Sequence, residues 1–207
     1  MPKRNSNSPY SGCGSLTREQ FLFHETRIVA RLMSDENLSD EEILKQVVQD
    51  NLFQFPTERM TGNITRVCLK RLHNLNDESL IRVIAHRPME VAKQACLYAM
   101  MKQYRLVWDF MITVVGAKYR NLDYSYGRVD LNEFFARLQE QDEEVSSWTE
   151  GTIQKIKQVL NKVLIENGYI DSPRATKLNL TAICSEVDNA IRADGNDVAL
   201  PAFNCFY

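Results

Sequence analysis

From residue 89 to 118 the sequence is apolar almost all the way round a helix, and no other stretch constrains the fold as much. Segments 89–103 and 105–118 carry Ala95, Leu97, Tyr98, Met100, Leu106, Val107, Trp108, Phe110 and Val114 at positions that no single helix face can hold. A helix that is apolar on every side has to be surrounded by protein. Both segments are therefore predicted at the centre of the fold, with amphipathic helices around them. Only 8 Gly and 6 Pro occur in 207 residues, mostly outside the periodic segments, which argues against a turn-rich β architecture. With 44% hydrophobic and 25% charged residues the chain has globular composition. The predicted fold class is all-α, a mainly helical globular protein with helix-turn-helix elements and a small C-terminal β-hairpin wing.

Local signals divide the chain further. Residues 1–15 are polar and read as a flexible N-terminal tail. Thr17 with Gln20 is predicted to cap a first helix running to about Met33, with Phe21, Ile28 and Leu32 inward. Ser39 with Glu42 is a second capping box, ahead of the stripe Ile43, Val47 and Val48. After the interruption at 51–56, a helix is predicted to run from about Thr57 to Leu72. A short helix at 77–86 and the two apolar segments follow, then a loop at 121–129. Asp130 with Glu133 opens the next helix, and Thr149 opens a long amphipathic one to about Asn167, closed by Gly168. Segments 169–171 and 178–180, around the turn Ser172-Pro173-Arg174, are predicted to pair as the hairpin wing. A last helix is expected at 181–193, and the apolar end from Leu200 to Phe206 is expected to dock on the body. The domain reading is a tail at 1–15, a helical lobe with a helix-turn-helix at 16–75, a helical core at 76–145 and a winged-helix-like unit at 146–207.

Several function classes fit poorly. No apolar run approaches the ~20 residues of a membrane span, and the basic N-terminal residues lack the apolar stretch of a secretory signal. The five cysteines, Cys13, Cys68, Cys96, Cys184 and Cys205, are odd in number and show no CxxC spacing. They point to a reducing, cytoplasmic setting rather than a disulfide or zinc scaffold. His24, His73 and His86 are far apart, so no metal site is expected. No GxGxxG, GxxxxGK[ST] or GxSxG occurs. The polar loop residues Asp123, Tyr124, Tyr126 and Arg128 could form a polar site but read as loop structure or a partner contact. No catalytic residue and no cofactor are expected.

The charge is unevenly spread. Net charge is −2, but residues 35–50 hold six acids against Lys45, residues 59–120 hold eleven bases against four acids, and residues 121–207 hold eight bases against fourteen acids. A basic middle between acidic ends suits an anionic partner that the whole-chain charge conceals. Within that middle, Arg59, Asn63, Arg66 and Lys70 step by four, three and four, an arc of about 60° at 100° per residue. Arg, Asn and Lys reach phosphates and base edges from a helix in the major groove. Thr57, at the helix start, adds a hydroxyl there. Met60, Ile64, Val67 and Cys68 are predicted to form the adjacent core-facing arc, and Arg71 lands awkwardly on the apolar side. The same steps recur in Gly151, Lys155, Gln158 and Lys162, opposite Ile153, Ile156, Leu160 and Leu164. Thr149 stands before that helix and Arg174 after it. The ordinary alternative for both arcs is a solvated helix surface.

A resemblance adds to this reading. Phe23-His24-Glu25-Thr26-Arg27-Ile28-Val29-Ala30, Asn51-Leu52-Phe53-Gln54-Phe55-Pro56-Thr57-Glu58-Arg59, Ala92-Lys93-Gln94-Ala95-Cys96-Leu97-Tyr98-Ala99-Met100 and Leu200-Pro201-Ala202-Phe203-Asn204-Cys205-Phe206 resemble the BrxA family. Those are small proteins encoded in bacterial BREX (bacteriophage exclusion) defence islands. The likeness runs from about residue 16 to 207. It implies an all-helical, non-enzymatic protein with helix-turn-helix elements that binds duplex DNA and supports phage defence beside a site-specific methyltransferase. It offers no catalytic residues to carry over. Other proteins of the defence system are further expected partners, and a monomer is the expected state. Two other readings stand beside it: a protein–protein adaptor within the defence complex, and an RNA-binding helical protein.

Overall fold

The computed structural model describes residues 8–36 and 38–206. Its helices are α1 (Phe23–Asp35), α2 (Asp40–Gln49), α3 (Glu58–Leu75), α4 (Glu78–His86), α5 (Met89–Gln103), α6 (Arg105–Phe110), α7 (Ala117–Arg120), α8 (Arg128–Gln141), α9 (Glu143–Ser146), α10 (Glu150–Glu166) and α11 (Ser185–Ala193). Two 3-10 turns, Cys13–Thr17 and Asp197–Phe203, and a π-helical segment, Met111–Gly116, complete the helical inventory. Among the described residues there is no strand, only an isolated bridge between Ser125 and Lys177. The fold class is all-α.

The chain forms two compact units. One comprises Met1–Gln20, Tyr104–Ile183 and Ile191–Tyr207, and the other Phe21–Gln103 and Cys184–Ala190. The two all-round apolar helices therefore serve different cores. Tyr104, extended at φ −125° and ψ 110°, ends the path of α5 before α6 begins. In the second unit α5 packs on α3 and α4, and α1 on α3 and α4. Leu72, Cys68, Ala95, Leu97 and Met100 are buried there. In the first unit Phe110 and Phe134 meet edge to face at 5.5 Å, and Phe134 and Phe135 at 5.4 Å.

Helix starts follow their caps. Ser39 and Glu42 form the full box, Glu42 N–H donating to Ser39 Oγ at 3.4 Å and Ser39 N–H to Glu42 Oε2 at 2.9 Å. Thr57, Asp77, Asp142 and Thr149 each accept a first-turn N–H of the helix they precede. Such a cap contributes ~1 kcal/mol.

The first helix does not begin at Thr17. That residue ends the 3-10 turn, its hydroxyl donating to Gly14 O at 3.0 Å, and α1 starts at Phe23 after Leu22 in the left-handed region, φ 54°. Phe21 and Phe23 are 1% and 2% exposed. Two residues apart on one helix they would face opposite ways, about 200° apart, so the chain kinks at Leu22 to bury both. Residues 8–15 are also held rather than loose: Ser8 Oγ donates to Asp142 at 2.8 Å and Tyr10 OH to Asp109 at 2.8 Å. The remainder of the expected tail, residues 1–7, lies outside the described residues.

Segment 105–118 is also not one regular helix. It widens into the π-helical turns and continues as α7. At Gly116 an added Cβ would lie 3.0 Å from Ala202 N and 3.2 Å from Pro201 C. The absent side chain lets the C-terminal turn pack directly on this backbone, burying Leu200, Ala202 and Phe203.

The hairpin wing does not form. Between its expected arms the backbone contact is Asn179 N–H to Tyr169 O at 2.8 Å. Residues 176–178 instead pair with the loop after α7: Tyr126 N–H donates to Thr176 O at 3.0 Å and Leu178 N–H to Tyr124 O at 2.7 Å. The backbone groups that a wing would need are already satisfied there.

Candidate nucleic-acid interface

On α3 the predicted stripe is at the surface. Arg59, Asn63, Arg66 and Lys70 are exposed, while Thr61, Gly62, Ile64, Thr65, Cys68 and Leu69 turn inward. Met60 departs from the expected inner arc at 43% exposed. No carboxylate lies within ion-pairing distance of Arg59, Arg66 or Lys70 among the described residues, and Arg66 Nη1 reaches only Asn63 Oδ1, at 3.5 Å. Arg71, the awkward cation of this helix, is 1% exposed and donates from Nη1 to Phe21 O at 2.6 Å. It takes no part in the stripe. Nearby, burial pushes the Cys68 thiol up to about 11, so it stays a neutral core group.

The local sequence sets this geometry. Thr57 Oγ1 accepts from Met60 N–H at 3.3 Å, so that one amide of the helix start is already occupied. The connection from α2 makes left-handed turns at Asn51 and Gln54, φ 44° and 56°. The Asn51 side chain clamps it by bonding both Phe55 N–H and Phe55 O. It spans residues 50–57, longer than the three or four residues of a compact helix-turn-helix. A groove of about 550 Å³ lies between α2 and α3, walled by Glu41, Leu44, Lys45 and Val48 on one side and Glu58, Arg59, Gly62 and Arg66 on the other. A Cβ on Gly62 would meet Val48 and Arg66 at 3.6 Å, ordinary contact distances. Lys45 adds a third cation to a lining that also holds the carboxylates of Glu41 and Glu58. The sequence did not single it out because it sits on a predominantly acidic helix.

On α10 the second stripe, Gly151, Lys155, Gln158 and Lys162, is likewise exposed, opposite buried Ile153, Ile156, Leu160 and Leu164. Its electrostatics differ. Lys162 donates to Gln20 Oε1 at 3.0 Å and lies 3.7 Å from Glu166. Lys157, beside the stripe, is drawn to Asn132 Oδ1 at 2.8 Å and over the Phe135 ring. Burial lowers its pKa, against a smaller upward pull from Glu150. The Thr149 hydroxyl caps Thr152 N–H at 3.2 Å. Arg174 is exposed in the loop after α10 and lines a cavity of about 270 Å³ with Tyr126, Arg128 and Asn161.

The polar loop residues are occupied structurally. Tyr126 OH donates to Asn161 Oδ1 at 2.8 Å, and Lys118 bridges Asp123 and Asp130, each at 2.9 Å. Hydrogen bonds from Ser125 and Lys118 hold the Asp123 carboxyl down at about 2. His73 and His86 pair with Asp40 and Asp35 at 2.9 and 2.8 Å. Among the described residues no cluster of three His, Cys, Asp or Glu could hold a metal ion, and no helix is long and apolar enough to cross a membrane.

The BrxA family model matches residues 8–195. The chain belongs to the BrxA family. It is 33% identical over 178 residues to the BREX protein BrxA of Bacillus cereus (strain H3081.97), covering 86% of this chain and 88% of that one. To the BREX protein BrxA of Escherichia coli O9:H4 (strain HS) it is 25% identical over 183 residues, 88% of this chain and 84% of the relative. A crystal structure of an uncharacterized protein from Magnetospirillum magneticum superposes with a TM-score of 0.77 at 20% identity, over 92% and 96% of the two chains. At that identity the likeness concerns the fold. Within the BrxA match, both basic stripes and the acidic run at 140–144 fall inside the aligned residues.

Proposed function

We propose that this BrxA-family protein is a non-enzymatic, DNA-binding accessory component of a BREX phage-exclusion system, contacting duplex DNA chiefly through the outer face of α3. The observation that carries the reading is the state of that face: Arg59, Arg66 and Lys70 are exposed together, spaced along one side of an 18-residue helix, and unpaired with carboxylates among the described residues. Cations held this way meet a phosphate backbone without first giving up an internal partner, and neutralised phosphates release counterions. Asn63, between the cations, is the side chain of the stripe best suited to a base edge.

The test is a titration of fluorescent duplex DNA with purified protein. Affinity should fall steeply between ~50 and ~200 mM salt. Competition with structured RNA separates a duplex-DNA protein from an RNA binder. Binding that ignores salt would overturn the reading and leave an adaptor role, in which the same cations dock on an acidic protein.

A further inference from the structure

Away from α3, the second unit holds another set of cations. Arg27 and Arg31 stand one turn apart on α1, at the end of α4. Arg27 Nε and Arg31 Nε both donate to the carbonyl of Ala85, at 3.2 and 3.0 Å, and Arg27 Nη2 donates to Arg87 O at 2.9 Å. Sharing one acceptor brings the two guanidinium groups side by side. Lys93 lies 5.6 Å from the centroid of the Phe23 ring, and Arg27 lies 5.8 Å from it. Arg27, Arg31 and Lys93 are thus held by neutral groups, carbonyls and an aromatic ring, and none meets a carboxylate among the described residues. The acids close by are otherwise engaged: Asp35 pairs with His86, and Glu186 pairs with Arg87 at 2.6 Å. Glu25 and Glu90, on α1 and α5, pair with none of these cations.

Capping the end of α4 accounts for three of the ten guanidinium N–H groups. A helix C-terminus carries about half a negative charge, so two guanidinium ions over-compensate it several-fold. Seven N–H donors remain, on planar groups whose orientation the carbonyls already fix. A fork held in place loses little further freedom when it engages a tetrahedral oxyanion in bidentate fashion. We infer that Arg27 and Arg31 form a two-arginine clamp for a backbone phosphate of duplex DNA, a second contact on the same unit as α3. The inference rests on the DNA-binding reading above.

The experiment compares three variants of the full chain in the duplex titration: Arg31→Gln, Arg27→Gln with Arg31→Gln, and Arg27→Lys with Arg31→Lys. Arg31→Gln leaves both Arg27 bonds in place, so α4 keeps its cap and the melting temperature should stay within a few degrees. It should weaken duplex binding about three- to fivefold and reduce the salt slope by less than about one; the double Gln variant removes the single phosphate contact and should reduce it by about one. The double Lys variant keeps the charge but loses the fork, and should fall between parent and double Gln. If the double Gln variant is too unstable to titrate, Arg31→Gln alone decides. Parental affinity and slope in Arg31→Gln, with binding lost on substituting Arg59, Arg66 and Lys70, overturns the clamp and leaves the DNA reading standing. No duplex binding by the parent protein at ~50 mM salt overturns both.

Discussion

The outer faces of α3 and α10 carry the same four-three-four spacing and reach different electrostatic states. Among the described residues, Arg59, Arg66 and Lys70 on α3 find no acidic partner, although Asp40, Glu41 and Glu42 lie on the neighbouring α2. On α10, Lys162 is shared between Gln20 and Glu166, and Lys155 makes no ion pair among the described residues. Helical spacing decides which side chains point outward together. What those side chains then meet depends on the residue one turn away and on segments far off in sequence. The pairing on α10 is weak, because an exposed ion pair contributes ~0–1 kcal/mol. A phosphate could displace Glu166, at a cost that α3 does not incur.

Four measurements test this difference between the two helices. The largest effect belongs to Arg59→Ala with Arg66→Ala and Lys70→Ala. Duplex affinity should drop by more than ~10-fold and the salt slope by about three, while thermal stability barely moves, since exposed charges contribute little to folding. Unfolding of this variant would show that the face is structural. Next, Lys155→Glu with Lys162→Glu should cost several-fold in affinity, less than the α3 variant. Equal losses would end the distinction between the two helices, and parental affinity would leave α3 as the DNA-binding helix without α10.

A third effect separates packing from charge. Gly62→Ala meets its neighbours at 3.6 Å or more, and replacing a mid-helix glycine should stabilise the second unit by up to ~1 kcal/mol in chemical denaturation. DNA affinity should change little, because the new methyl meets Val48 and the Arg66 guanidinium at 3.6 Å, an ordinary contact distance that displaces neither. A fall in stability would mean that α2 and α3 cannot part by the little that the methyl requires. The smallest effect is Glu166→Gln, which releases Lys162 and should raise affinity by no more than ~2-fold. A larger gain would mean that α10 is held back chiefly by its own acid.

Much of this molecule is legible locally. Caps at Ser39, Thr57, Asp77 and Thr149 mark helix starts because a short polar side chain answers the first free amides within three residues of itself. The outward stripes are legible for a similar reason, since 100° per residue is a property of the backbone. The kink at Leu22 is not marked locally: Phe21 and Phe23 would lie on opposite sides of an amphipathic helix, and only the fold shows that both are buried. The wing was misread because residues 178–180 have strand-like composition, while their hydrogen-bonding partner, Tyr124–Tyr126, lies some fifty residues earlier in a segment that reads as loop. Arg27 and Arg31 show their four-residue spacing in the sequence. Nothing local reveals that their acceptors are carbonyls 54 to 60 residues away.

An all-helical chain, the positions of most of its helices, the two outward basic stripes and membership of the BrxA family are all readable from the residues alone. These follow from side-chain chemistry acting over one or two turns, and from strings of residues long enough to identify kin. The fold settles that the two apolar helices serve separate cores, that Gly116 admits the backbone of the C-terminal turn, and that Arg71 is buried while Arg59, Arg66 and Lys70 on the same helix are exposed. It also decided which cations meet an acid and which meet a carbonyl. The physical reason is the same in each case: burial and charge pairing depend on distances of a few ångströms between residues far apart in the chain, and periodicity along one helix carries no information about them.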